Sequence, residues 1–152
     1  MEDVAATALT VDLNGEFRFK ADAKGRVSLP AKFRKVLPIE LVVTLDPDSR
    51  YLMVFTSEDF NEWVKDLMKA TLGEFDSSSR KHLGMRRALK ARAYDVQVDS
   101  AGRIMLPAEQ RTTAGIDKDV VIVGNEGYFE VWDAKRYASD SEEFDLSSLL
   151  NA

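Results

Sequence analysis

Asp22-Ala-Lys-Gly-Arg-Val-Ser-Leu-Pro-Ala-Lys-Phe-Arg34 is the stretch that decides the fold, because the chain contains it twice. A second version occurs 77 positions later as Asp99-Ser-Ala-Gly-Arg-Ile-Met-Leu-Pro-Ala-Glu-Gln-Arg111. Seven of the thirteen positions are identical, and the match continues at Ile39/Ile116, Tyr51/Tyr128, Val54/Val131 and Phe55/Trp132. A long self-match at one spacing is the mark of an internal repeat. The sequence therefore predicts two copies of one structural unit.

Each copy contains the same series of local signals. Phe17 and Phe19 alternate with charged residues, which is the period of a strand. Asp22–Gly25 is typical of a turn, and the alternation resumes over residues 26–29, which predicts a hairpin with Arg26 at its tip. Pro30 suits the first position of a helix. A second hairpin is predicted over residues 41–45 and 51–55, and over 120–123 and 128–132 in the second copy.

The repeat unit is thus predicted to be ββαββ, within an α+β fold. A unit of this size is too small to close its own core, so the two copies should interlock as a pseudo-symmetric pair. Between them, Thr56 begins one predicted helix and Gly73 ends it. A second helix is predicted to start within residues 76–79 and to end near Arg92, which makes a helical hairpin.

The chain divides into five predicted segments. Residues 1–12 form an N-terminal extension predicted to be disordered, 13–60 the first repeat, 61–92 the helical insert and 93–137 the second repeat. Residues 138–152 form an acidic tail, also predicted to be disordered because it is rich in serine and carboxylates.

Composition excludes several classes of function. The 152 residues carry 21 Lys+Arg and 26 Asp+Glu, with no cysteine and one histidine. The lack of cysteine excludes disulfides, thiolate metal sites and cysteine nucleophiles, and a single histidine argues against a histidine-based triad. No apolar run approaches the roughly 18 residues of a membrane helix. We expect a cytoplasmic protein that is not an enzyme, is not a membrane protein, and uses no cofactor and no metal.

The net charge of −5 hides two basic regions. Residues 20–35 and residues 80–103 each carry an excess of five positive charges. Local field matters more than the sum of charges for recognition of an anionic partner. An acidic chain can therefore still bind nucleic acid.

The motif Asp-x-x-Gly-Arg-(Val/Ile)-x-Leu-Pro resembles the looped hairpin of AbrB-type transition-state regulators, which carry the SpoVT-AbrB domain. The duplication, the helical insert, Lys24-Gly-Arg26 and Val123-Gly-Asn-Glu-Gly-Tyr-Phe-Glu-Val-Trp-Asp133 resemble the MraZ family more closely. This resemblance, over about residues 13–137, implies a swapped-hairpin β-barrel in a ring-shaped homo-oligomer. It also implies a sequence-specific DNA-binding regulator of the division and cell-wall gene cluster, whose targets begin with its own gene. Such a regulator binds repeated promoter boxes and is associated with the nucleoid.

The resemblance places DNA contacts on Arg26 and Arg103. An arginine at a hairpin tip can present its planar fork to guanine or clasp a phosphate. Further attraction to the backbone of double-stranded DNA is expected from Lys20, Lys24, Lys32 and Arg34. The turns themselves are assigned to Asp22, Gly25, Asp99 and Gly102. Ala101 replaces Lys24 in the second motif, so the first tip should be the leading contact.

Three alternatives remain open on sequence. An AbrB-like antitoxin would use the acidic C-terminus to bind a toxin. A scaffold would bind acidic proteins through its basic patches without any DNA sequence preference. An enzyme is the third, although no phosphate loop or nucleophile–base spacing stands out. His82, among basic residues of the insert, is predicted to have a packing or charge role.

Overall fold

A six-stranded antiparallel sheet and a separate two-stranded ribbon form the β structure of the computed structural model, which describes residues 11–151. The strands are β1 (Glu16–Lys20), β2 (Arg26–Ser28), β3 (Glu40–Leu45), β4 (Leu52–Phe55), β5 (Tyr94–Gln97), β6 (Arg103–Met105), β7 (Asp119–Gly124) and β8 (Phe129–Asp133). The sheet order is β1-β7-β8-β4-β3-β5, and β2 pairs with β6. With the helices, this confirms the α+β class.

The helices begin and end at the local signals in the sequence. They are α1 (Ala31–Arg34), α2 (Ser57–Leu72), α3 (Arg80–Ala91), α4 (Ala108–Thr113) and α5 (Ala134–Ser141), followed by a 3₁₀ helix over Leu146–Leu150. Thr56 caps α2 by accepting a hydrogen bond from the Asp59 amide at 3.1 Å, and Gly73 ends it with a φ of 77°. Ser79 caps α3. The predicted helical hairpin is confirmed, whereas Pro30 precedes α1 as its cap instead of opening it.

Strand pairing corrects one prediction and confirms two. The hairpin predicted between residues 16–20 and 26–29 is wrong, because β1 pairs with β7 and β2 pairs with β6. The hairpins β3–β4 and β7–β8 are confirmed. The turn after β1 takes the chain out of the sheet, so β1 and β2 do not pair with each other. Both strands instead form hydrogen bonds with strands in the other half of the chain. The exchange is reciprocal: β1 of the first repeat pairs with β7 of the second, and β5 of the second repeat pairs with β3 of the first.

Alternate side chains of the sheet point to opposite faces, and each face is buried in a separate hydrophobic core. Leu41, Val43, Leu52 and Val54 point to the face that is covered by the β2–β6 pair, Phe33 and Leu106. Their neighbours Val42, Met53 and Phe55 point to the other face, where Phe60, Val64 and Met68 of α2 cover them. Strand period explains the alternation. Because each side chain buried this deeply contributes about 1.5–3 kcal/mol, both layers stabilise the sheet.

The described residues include only the end of the N-terminal extension but nearly all of the C-terminal tail. The extension 1–12 lies mostly outside the described residues, apart from Val11, whose amide donates to Asp59 Oδ2 at 3.0 Å, and Asp12, which bridges to Glu126. In the tail, α5 continues to Ser141 and a 3₁₀ helix follows, which departs from the predicted disorder over 138–152. Among residues 11–151, no helix combines the length and the apolar character that crossing a membrane requires.

Candidate nucleic-acid interface

An aspartate closes each of the two motif turns. Asp22 Oδ1 accepts the backbone N–H groups of Lys24 at 3.0 Å and Arg26 at 2.8 Å. Its second oxygen, Oδ2, accepts from Arg26 Nε at 2.7 Å. The N–H bond from Arg26 is the main reason that the pKa of Asp22 falls to about 2. The carboxylate therefore stays charged and holds both the turn and the arginine above it.

The second turn has the same geometry. Asp99 Oδ1 accepts from the amides of Ala101 and Arg103, each at 2.9 Å. Asp99 Oδ2 accepts from Arg103 Nε at 3.1 Å. The hydrogen bond from the backbone N–H of Arg103 lowers the pKa of Asp99 as well. Each arginine is thus oriented by the aspartate four residues before it.

Antiparallel pairing of β2 with β6 joins the two motifs in one surface, here called the ribbon. Val27 pairs with Ile104, and both side chains are buried in the core. Because side chains alternate along a strand, the residues on either side point outward from the ribbon. Arg26 then lies opposite Met105, and Ser28 lies opposite Arg103.

The two arginines also share an electrostatic contact. Arg103 Nη1 lies 3.9 Å from Asp22 Oδ2, which already binds Arg26. Side-chain exposures of 31% for Arg26 and 34% for Arg103 leave part of each guanidinium open to solvent. A pair of oriented, partly exposed guanidinium groups can bind an anion or the acceptor edge of a base.

Two further arginines cross between the halves. Gly25 and Gly102 have φ values of 86° and 79°, in the left-handed region. A side chain at Gly25 would overlap the guanidinium of Arg111, and one at Gly102 would overlap that of Arg34. Arg111 Nε also donates to the Leu106 carbonyl at 3.1 Å. Arg34 thus packs on the turn of the opposite half, which is a structural contact that its assignment to DNA did not anticipate.

The remaining basic residues lie in different settings. Lys24 is exposed within the first turn, and Lys32 is exposed on α1. Lys20, at the end of β1, forms a cross-strand ion pair with Asp119 at 2.8 Å. Its hydrogen bond lowers the pKa of Asp119.

The second basic region divides in the structure. Of residues 80–103, Arg103 lies on the ribbon, whereas the cations of α3 engage the insert. Arg86 lies 4.2 Å above the ring of Phe75, and Lys90 donates to Asn61 at 2.9 Å. Five of the seven cations in that region belong to α3 and one follows it. The positive charge there is therefore not one patch with the ribbon.

His82 has a structural setting on the insert. Its Nδ1 accepts a hydrogen bond from the Asp76 amide at 2.9 Å, and its ring lies 5.9 Å from that of Phe75. The imidazole fastens the loop before α3 to that helix, in agreement with the packing role predicted for it.

Ser28, Met105 and Arg111 are not among the residues predicted from the sequence. A signal existed for each of them. Ser28 and Met105 follow the ribbon arginines by two positions, which places them on the same face of a strand. Arg111 is the repeat partner of Arg34. What the sequence did not show is that the two strands pair with each other.

The chain matches known proteins over most of its length. Residues 13–81 and 89–151 match the family model described as "MraZ protein, putative antitoxin-like". A protein of Symbiobacterium thermophilum named "Transcriptional regulator MraZ" is 42% identical over 129 residues, which are 85% of this chain and 89% of that protein. Proteins of the same name are 35% identical in Lachnoclostridium phytofermentans, over 84% of this chain and 85% of that one, and 35% identical in Legionella pneumophila, over 81% and 80%. With two family matches that together span most of its residues, this chain belongs to the MraZ family.

Proposed function

We propose that this protein is a sequence-specific, DNA-binding transcriptional regulator and not an enzyme. Its targets would be repeated boxes in the promoter of the division and cell-wall gene cluster, beginning with its own gene. It would act in the cytoplasm, on the nucleoid, as a ring-shaped homo-oligomer. The relatives named as transcriptional regulators support the class of function, and the ribbon supports the way it binds.

The observation that carries this proposal is the pairing of the two arginine motifs on one ribbon. A two-stranded ribbon is of a size that enters the DNA major groove. Arg26 and Arg103 lie on its two paired strands, from which both guanidinium groups would reach the base edges. Since each aspartate engages Nε, the terminal Nη groups are the atoms that would donate to guanine O6 and N7.

Asp22 and Asp99 have an indirect role in this proposal. Phosphates would repel carboxylates, so neither aspartate would contact DNA. By holding each guanidinium before DNA arrives, they lower the entropy lost on binding. Lys24, with Lys20, Lys32 and Arg34, would add phosphate attraction that falls as salt rises.

The assembly we propose begins with the fold of one chain. Reciprocal pairing of β1 with β7 and of β5 with β3 supports a swapped-hairpin β-barrel made of two ββαββ repeats. One ribbon makes few contacts and should bind weakly. Several ribbons carried by one ring would engage spaced boxes together and gain by effective concentration.

The test is fluorescence anisotropy with a labelled duplex taken from upstream of the gene. Arg26→Ala and Arg103→Ala should each weaken binding about 5- to 150-fold, which corresponds to the roughly 1–3 kcal/mol of a bidentate contact to guanine. The matched control is Arg87→Ala, which removes the same charge from the exposed surface of α3 and should bind like the parent.

A scrambled duplex at two salt concentrations separates sequence reading from charge attraction. The proposal requires that the parent prefer the native duplex at both concentrations. Equal binding to native and scrambled DNA, with all three variants alike, would instead favour the protein-binding scaffold. Capture of a toxin partner with no DNA preference would favour the antitoxin.

A further inference from the structure

A groove runs between α2 and α3 on the helical insert. It has a volume of about 290 Å³, and its apolar wall is made by Val64, Met68, Leu72 and Phe75. Lys65, Lys69 and Arg86 stand around it, with Glu74 as the one carboxylate among its lining residues. Lys69 lies 3.5 Å from Glu74 and Lys65 lies 4.0 Å from Glu62, so the edge of the groove keeps a small net positive charge with Arg86. The groove is apolar inside, and residues 11–151 leave it open.

The C-terminal segment, residues 142–150, has the opposite character. Phe144, Leu146, Leu149 and Leu150 are between 66% and 87% exposed. Leu146 and Leu149 lie on one edge of the terminal 3₁₀ helix, because residues three apart are aligned at three residues per turn, and Leu150 adjoins Leu149. Asp145 caps that helix by accepting from the Ser147 amide at 3.0 Å. The segment is therefore helical, and its apolar side chains stay exposed among residues 11–151.

Charge complements shape in this pair of surfaces. Glu142, Glu143 and Asp145 precede or begin the terminal helix, so its apolar face is preceded by three negative charges. The groove presents three cations around an apolar floor. An amphipathic helix laid in an apolar groove is a common mode of peptide recognition, and opposite rim charges set its orientation.

We propose that the C-terminal segment of one copy docks in the α2–α3 groove of a second copy. Within one chain, α5 fastens the start of the tail to the sheet. Asp140 lies 3.4 Å from Arg50 Nη1, and Tyr137 donates to Glu16 at 2.7 Å. The leucines beyond this anchor stay exposed, so another copy supplies the groove.

Such a contact joins two different surfaces and is heterologous. Each copy offers one segment and one groove, so the contact repeats from copy to copy and closes into a ring if its rotation permits. The inference rests on the homo-oligomer in the proposed function, and it identifies the surfaces that build it. It does not depend on contact between the ribbon and DNA.

Disulfide trapping tests the proposal directly, because the chain has no cysteine of its own. A Leu149→Cys variant is mixed with a Glu74→Cys variant, and the mixture is oxidised. Because each chain then has one thiol, a 149–74 bond can form only between copies. We expect a covalent dimer on a non-reducing gel, with that linkage identified by mass spectrometry. Arg18→Cys, exposed on β1, replaces Glu74→Cys as the control and should give at least fivefold less cross-linked product.

Charge exchange supplies the second arm. Lys69→Glu with Arg86→Glu in the Glu74→Cys chain should reduce trapping severalfold, and Glu142→Lys with Glu143→Lys in the Leu149→Cys chain should restore it. Arg26→Ala and Arg103→Ala should trap like the parent, so a failure of DNA binding is distinguished from a failure of docking. The absence of the 149–74 bond would overturn the proposal. So would an intrachain bond, without dimer, when both cysteines are placed in one chain.

Discussion

Gly25 shows at the scale of one residue how the two halves come into contact. Its φ of 86° forms the turn that begins with Asp22, and its missing side chain lets the guanidinium of Arg111 lie against the backbone. Its carbonyl also accepts the Leu106 amide at 2.9 Å. One glycine thus serves both the turn and the junction with the other half of the chain.

Gly25→Ala should therefore lower the free energy of unfolding by more than the strain of the left-handed backbone alone. The left-handed conformation costs a non-glycine residue about 1–2 kcal/mol, and moving the Arg111 guanidinium aside would lose its hydrogen bond to the Leu106 carbonyl, which contributes about 0.5–1.5 kcal/mol. Gly127→Ala is the matched control. Gly127 has the same φ of 86°, and none of the described residues places an atom within 4 Å of a side chain there.

Urea unfolding of the two variants measures the free energy of unfolding. The difference between them is the cost of the overlap with Arg111. Truncating that side chain in Gly25→Ala/Arg111→Ala should remove most of this difference, which a double-mutant cycle would detect. Equal destabilisation by Gly25→Ala and Gly127→Ala would show that the close approach to Arg111 has no energetic weight.

At the scale of an element, the ribbon is nearly symmetric in its charged residues and asymmetric in their neighbours. The symmetry comes from Val27 and Ile104, which are equivalent in the repeat and pair with each other. Across the ribbon, however, Arg26 faces the half-exposed Met105 whereas Arg103 faces Ser28. The two arginines therefore have one apolar and one polar neighbour.

On the proposed function, Met105 should contact a thymine methyl group beside the guanine that Arg26 reads. Apolar side chains recognise that methyl group in the major groove, and burying it contributes about 0.8 kcal/mol. Replacing each thymine of a bound site in turn by deoxyuridine should weaken the parent about fourfold at one position. Met105→Ser should bind both duplexes equally, whereas Ser28→Ala should keep the parent's discrimination. Anisotropy titration measures the affinity of each of the three proteins for each of the two duplexes, and an undiminished discrimination by Met105→Ser would contradict this role.

At the scale of the whole molecule, the strand ladders tie the two halves into one cooperative body. β1 pairs with β7, β5 with β3, β2 with β6 and β4 with β8. Each of these ladders joins residues before the insert to residues after α3. The core on the ribbon side likewise mixes Val27 and Phe33 with Ile104 and Leu106.

Neither half should consequently fold as a monomer. Residues 13–92 alone would lose the partners of β1 and β2, together with the side chains that bury Phe33. We expect far-UV circular dichroism and light scattering to find either an unfolded chain or a folded oligomer in which two identical halves replace the missing one. Residues 93–151 supply the matched half, and mixing the two should restore a cooperative transition. A folded monomer of either half would contradict this interdependence.

The sequence by itself determined the local features of this protein. Thr56 and Gly73 mark the ends of α2 because a helix cap depends on neighbouring backbone groups. The repeated Asp-x-x-Gly-Arg motif indicated both turns, and the hairpins β3–β4 and β7–β8 followed from nearby strands joined by short loops. Signals of this kind act over a few residues, so they remain visible without the fold.

Only the tertiary structure decided which distant strands meet. Backbone N–H and C=O groups are alike in every strand, so their pattern does not specify a partner, and the choice depends on burial of side chains far apart in sequence. That choice moved β1 from its predicted hairpin to β7 and brought Arg26 beside Arg103 on one ribbon. It also placed Arg34 against Gly102. The candidate residues were thus present in the sequence, and the fold assembled them into a surface.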